Sequence, residues 1–174
     1  MPTNTNPPLS PDPTEFVITR VFGAPIDRVW NAWTESAGLT KWFGPKGAVV
    51  MATKQDFRPG GNFLFCLKPP GGGKEIWGKF VYREIIPQQR LVWIHSFSDE
   101  HGNLRRHPYV PDWPAELLTT VTFAEQSGKT TVTLHWSPIH PTDTERKTFA
   151  GNFDGMRAGW EGSFEVLDEY LAKA

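Results

Sequence analysis

Seven apolar residues near the C-terminus constrain this chain more than any other feature. Phe149, Phe153, Met156, Trp160, Phe164, Leu167 and Leu171 recur at intervals of three or four, the spacing that lines one face of an α-helix. Thr142-Asp143-Thr144-Glu145, after Pro141, is a capping box that marks where the helix starts. The spacing predicts a helix of about 30 residues, roughly 45 Å long at 1.5 Å per residue. Its apolar stripe has to be buried against something, and what precedes it is a run of strands.

Glu15 to Phe22 alternates Phe16, Ile18 and Phe22 against Glu15, Val17, Thr19 and Val21, as a half-buried strand does. Gly23-Ala24-Pro25 breaks it, and Pro25 suits the first position of a helix. Ile26, Val29, Trp30 and Trp33 then have helical spacing, and Thr34 is the expected cap of a second short helix ending near Trp42. Further strands are expected over Val49–Phe57, Phe63–Leu67, Ile76–Ile86, Leu91–Phe97, Leu117–Phe123 and Thr131–Trp136. Gln126-Ser127-Gly128 joins the last two as a hairpin. Ser98 to Pro114 is the exception, a long polar segment that holds Tyr109 and Trp113 and has the character of a lid or binding loop. Strands followed by a segregated helix imply an α+β fold. The expectation is a curved antiparallel sheet of six to seven strands wrapped around the C-terminal helix, with two short helices after the first strand.

Residues 1–13 contain five prolines and read as a disordered tail, leaving one domain over 14–174. The tail has neither the charged nor the apolar region of a secretory signal, and the single cysteine, Cys66, cannot form an internal disulfide. Both point to a cytoplasmic protein. Lys and Arg total 18 against 19 Asp and Glu, a net charge of −1, which argues against tracking a nucleic-acid backbone. No apolar run approaches the ~20 residues of a membrane span. The unusual quantity is aromatic: 8 Trp, 12 Phe and 3 Tyr suggest an aromatic-lined interior.

Motifs for nucleotide, metal or nucleophilic chemistry are missing or incomplete. Gly128-Lys129-Thr130 imitates the end of a phosphate loop, but Phe123 stands where that motif needs Gly, and the segment lies between strands. Gly71-Gly72-Gly73-Lys74 is followed by Glu75 and reads as a turn. His95, Asp99 and His101 lack metal-ligand spacing, and no Gly-x-Ser-x-Gly elbow occurs. Asp56, Arg58, Gly60 and Gly61 read as a strand end and tight turn. Neither a metal nor a cofactor is expected.

Several short motifs, taken in order, resemble the family of activator of heat-shock-protein-90 ATPase homologues, within the START-like superfamily. They include Ala24-Pro25 with Val29-Trp30, Trp42-Phe43-Gly44-Pro45, Asp56-x-Arg58-x-Gly60-Gly61, and Tyr82-Arg83-Glu84-Ile85 with Pro87 and Arg90-Leu91. Ser96-Phe97-Ser98-Asp99, Trp113-Pro114, Glu145-Arg146 with Thr148-Phe149, and Met156-x-x-Gly159-Trp160 complete the set. The resemblance implies a helix-grip fold with a cavity between sheet and long helix. For function it implies a choice among hydrophobic-ligand carriers, aromatic polyketide cyclases and chaperone-activating or stress-response proteins.

The leading expectation is a small hydrophobic or aromatic ligand held in that cavity. Candidate lining residues are Trp42, Phe65, Phe80, Trp93, His95, Phe97, His135, Met156 and Trp160. Trp93, His95 and Phe97 share one strand face. On another strand either Thr131, Thr133 and His135 or Val132, Leu134 and Trp136 point inward, and the sequence does not choose. The enzymatic alternative, a cyclase or dehydratase, would use His95 or His135 as acid–base with Tyr82 or Arg20, and requires the groups to converge. Gly151, Gly155 and Gly159, joined by Ala158 and Gly162, form a stripe expected to lie away from the cavity. That stripe is open to solvent, to the 98–114 segment or to a second copy, so both monomer and homodimer are consistent with it.

Overall fold

The computed structural model describes residues 14–173; the tail expected over 1–13 lies outside the described residues. The elements run β1 (Phe16–Phe22), α1 (Ile26–Thr34), α2 (Ser36–Trp42), β2 (Val49–Gln55), β3 (Asn62–Lys68), β4 (Ile76–Ile86), β5 (Arg90–Ser98), β6 (Leu104–Arg105), β7 (Glu116–Gln126), β8 (Lys129–Pro138), α3 (Asp143–Ala150) and α4 (Phe153–Lys173). One antiparallel sheet takes the strand order β1-β8-β7-β5-β4-β3-β2. Its seven long strands match the expected number. The eighth, β6, pairs with β5 inside the 98–114 segment. No helix among the described residues is long and apolar enough to cross a membrane.

Alternation sets the faces. In β1, Phe16, Ile18 and Phe22 are buried while Val17, Thr19 and Val21 are not. In β8, Thr130, Val132 and Leu134 turn inward with Trp136, which settles the choice the sequence leaves open. The β7–β8 turn places Ser127 and Gly128 at φ 54° and 76° between the paired Gln126 and Lys129, the two left-handed residues that a two-residue hairpin prefers. The 56–61 turn also behaves as read. Arg58 Nε donates to both Asp56 carboxylate oxygens at 3.0 and 2.8 Å. Gly60 N–H donates to Tyr82 O and Tyr82 N–H to Gly61 O. A side chain on Gly61 would put its Cβ 2.0 Å from the Asp56 carbonyl oxygen, so only glycine fits.

Three local readings need correction. Thr34 does not cap α2; it ends α1 and its hydroxyl donates back to Trp30 O, while Glu35 occupies the α2 N-cap. Pro25 is the N-cap of α1 rather than its first residue. The C-terminal helix is also not continuous. Thr142 caps α3 as expected, its Oγ1 accepting from Glu145 N–H at 3.1 Å, but the helix stops at Gly151-Asn152, and α4 begins at Phe153. Glycine and asparagine are poor helix formers. The apolar stripe nevertheless keeps its phase across the break, with Phe149 and Phe153 still in ring contact at 5.6 Å.

The core lies between the concave face of the sheet and the helices. Phe22 meets Phe164 edge to face at 5.5 Å, and Phe16 meets Phe153 at 5.9 Å. Arg20 pairs with Asp168, and Arg28 donates to Leu171 O, fixing the end of α4 against β1 and α1. Trp33 of α1 fills the centre, in contact with Trp42, Trp93, Phe123, Trp160 and Phe164. The short helices thus plug one half of the space under the sheet. The other half, under β3, β4 and β5, stays open.

Candidate functional site

That open half is a cavity of about 620 Å³ between the sheet, the start of α4 and the 98–114 segment, open on one side. Its floor follows from strand register. Phe65, Gly78 and Phe97 stand side by side across β3, β4 and β5. Gly78 makes room there: a Cβ would sit 2.6 Å from the Phe65 ring that lies over it, so a larger residue would displace that ring. One step along the sheet, Phe80, His95 and Leu117 form the next row. Phe43 closes the near wall, edge to face with Phe65 and Phe80. Trp160, Met156, Gly155 and Gly159 supply the helix wall. Ser163 donates its hydroxyl to Gly44 O and ties α4 to the residues after α2.

Five of the nine expected lining residues meet here: Phe65, His95, Phe97, Met156 and Trp160. Trp42, Phe80 and Trp93 are buried behind the wall and support it; the Phe80 ring stacks on Trp93 at 4.7 Å. His135 does not belong. It lies on the outer face of β8, where Nδ1 meets Glu15 Oε1 at 2.7 Å. An acid–base pair of His95 and His135 is therefore excluded, because the sheet separates them. The two proposed helpers are also elsewhere. Tyr82 is buried, its hydroxyl pushed up to about 12 by desolvation, and Arg20 is engaged by Asp168. The glycine stripe needs the opposite correction: Gly155 and Gly159 border the cavity instead of turning away from it. Phe43 and His107 also line the cavity and are not among the expected residues, and Trp136 lines it from the one of the two β8 sets that turns inward.

His95 is the most unusual group of the wall. Its ring sits among Phe43, Phe65, Phe80, Phe97 and Trp136, stacked on Trp136 at 5.7 Å. Among the described residues it has no hydrogen-bond partner. Burial pushes its pKa down to about 4, so the imidazole is neutral at pH 7. His101 and Asp99 do not join it. Asp99 instead organises its own turn, accepting from the backbone N–H groups of His101 and Asn103 at 2.9 Å. Among the described residues, no Asp, Glu, Lys or Arg lines the cavity.

The far side of the cavity comes from the 98–114 segment. His107 packs on Phe97 at 4.7 Å and on Trp113 at 5.8 Å, and Trp113 packs in turn on Phe149. Arg106 reaches across to the Glu145 carboxylate at 3.1 Å, joining the segment to α3. Tyr109 stands exposed at the rim.

Residues 23–172 match the protein family described as "Activator of Hsp90 ATPase homolog 1-like protein". No curated protein matches the sequence. Solved structures with the same fold include an NMR structure of a protein from Arthrobacter aurescens. It is 23% identical, with a TM-score of 0.77 over 95% of this chain and 91% of that one. A crystal structure of an AHSA1 protein from Silicibacter pomeroyi is 17% identical, with a TM-score of 0.66 over 91% and 97%. DynU16, from a dynemicin biosynthetic locus, is 21% identical, with a TM-score of 0.62 over 93% of this chain and 48% of its own.

Proposed function

This chain belongs to the Activator of Hsp90 ATPase homolog 1-like family, and we propose that it binds a small hydrophobic or aromatic molecule in the cavity between the sheet and α4. The observation that carries this reading is the void itself. Protein interiors are close-packed, yet here about 620 Å³ is left open within aromatic walls, inside the ~300–1,000 Å³ range of small-molecule sites. The unpartnered His95 supports it, since a polar group among aromatic rings is stabilised when a guest or a water supplies its hydrogen bond. Trp136 and Trp160 in the wall make the test direct. Planar aromatic and long-chain aliphatic compounds are titrated while tryptophan emission and melting temperature are followed. Saturable quenching with a concentration-dependent rise in melting temperature is the expected result. If no compound of either kind produces them, the reading fails.

A further inference from the structure

The cavity wall contains two histidines, and their hydrogen bonding differs. His107 Nδ1 accepts two backbone N–H groups, from Tyr109 at 3.0 Å and Val110 at 3.1 Å. A ring nitrogen that accepts carries no hydrogen, so the proton of the neutral imidazole is on Nε2. Desolvation lowers the pKa of this ring as well, which favours the neutral form. His107 is thus a fixed N–H donor, oriented by its packing on Phe97 and Trp113. Its Nε2 bonds to no other described residue. His95 lacks any such constraint. With neither nitrogen engaged it takes either tautomer and matches a donor or an acceptor equally.

Resting on the cavity reading above, we infer that His107 selects the guest: an uncharged, flat apolar molecule bearing a hydrogen-bond acceptor oxygen, such as an aryl ketone, ester or amide. The acceptor oxygen takes the Nε2–H of His107, and the apolar body lies among Phe43, Phe65, Phe97 and Trp160. A carboxylate of the same shape is disfavoured. No Lys or Arg lies among the described lining residues, and an unpaired anion in apolar surroundings is costly.

Three matched probes test this at pH 7 by tryptophan quenching: 2-acetylnaphthalene, 2-ethylnaphthalene and 2-naphthoate. The ketone is expected to bind roughly fivefold or more tightly than the hydrocarbon, the usual net value of one neutral hydrogen bond, and the carboxylate more weakly than both. His107→Asn should bring the ketone-to-hydrocarbon ratio to about one, because a short Asx side chain still accepts from the loop N–H groups but does not reach the Nε2 position. The affinity for 2-ethylnaphthalene, measured in the same variant, is the reference against which the ketone is read, so a change in wall packing common to both probes cancels in the ratio. If Asn disturbs the loop and weakens the hydrocarbon too, His107→Phe, which keeps an aromatic ring on Phe97, should give the same ratio of about one. A wild-type ratio of one, a ratio that persists in both variants, or a carboxylate that binds best overturns the inference while leaving the cavity reading intact. Absence of binding by every apolar probe overturns both.

Discussion

Gly159 offers a separation of stability from binding. It lies inside α4 and borders the cavity, and a Cβ built on it has no heavy atom within 4 Å. A glycine inside a helix costs roughly 1 kcal/mol relative to Ala, and Leu is nearly as good a helix former as Ala. Gly159→Leu therefore has no clash at its Cβ to offset that gain. For a chain of this size about 1 kcal/mol corresponds to roughly 2–4 °C in melting temperature, so the variant should melt a few degrees higher. Its four new carbon atoms, however, stand at the helix wall of the cavity. Affinity for 2-ethylnaphthalene, read by tryptophan quenching, should fall at least about tenfold. Gly162→Ala is the control, since its Cβ would rest 3.6 Å from Lys46 Cβ, away from the cavity. It should gain stability and leave affinity unchanged. Unaltered affinity in Gly159→Leu would refute the reasoning, because the guest would then not use the space beside α4; a lower melting temperature would refute the packing argument.

Gly61→Ala should be costly, because its Cβ would fall 2.0 Å from the Asp56 carbonyl oxygen; a loss above about 2 kcal/mol in urea unfolding is expected, and a neutral result would show that the 56–61 turn can open. His95 has a folded-state pKa near 4 against an ordinary value of 6.5. Between those values the unfolded chain binds a proton that the folded chain does not, so stability rises with pH, is complete above about 6.5 and is lost as pH falls toward 4. His95→Leu removes this dependence, and between pH 7 and 4.5 it should lose roughly 2 kcal/mol less stability than wild type. Parallel losses in the two proteins would place the His95 ring in water.

The legible parts of this fold are those written locally. Alternation in β1, the Ser127-Gly128 turn and the Thr142 cap each depend on a few neighbouring residues, and each forms as the sequence indicates. The helix break was hidden because Phe149 and Phe153 stay four apart, so Gly151-Asn152 interrupts the backbone without interrupting the pattern. The place of His135 is not legible locally, because both faces of β8 hold credible interior sets. Only its register with β1 and β7 decides between them. Trp136, across from Thr119 and donating to its hydroxyl at 2.8 Å, belonged to the set left open. His107 lay within a segment already marked as a binding loop, but its role depends on two backbone N–H groups that no side-chain pattern encodes. The glycine stripe lies off the apolar face of the helix, yet Gly155 and Gly159 border the cavity. The void fills the space beside them, which a sequence pattern does not encode.

The uncharged wall has a consequence for kinetics. A charged cleft gathers oppositely charged ligands across a Debye length, about 8 Å at physiological salt, and loses that advantage as ionic strength rises. On the proposed reading, a cavity with no Asp, Glu, Lys or Arg among its described lining residues adds no such pull of its own, and a guest enters past the rim near Tyr109. For the uncharged guest proposed above, arrival would be set by diffusion and orientation, with an association rate expected to change little with salt. Departure depends on dispersion contacts with the aromatic rings and on returning apolar surface to water. Strongly hydrated salts such as sulfate make that return harder. For the guest proposed above, the aromatic wall would set the dwell time far more than the frequency of arrival.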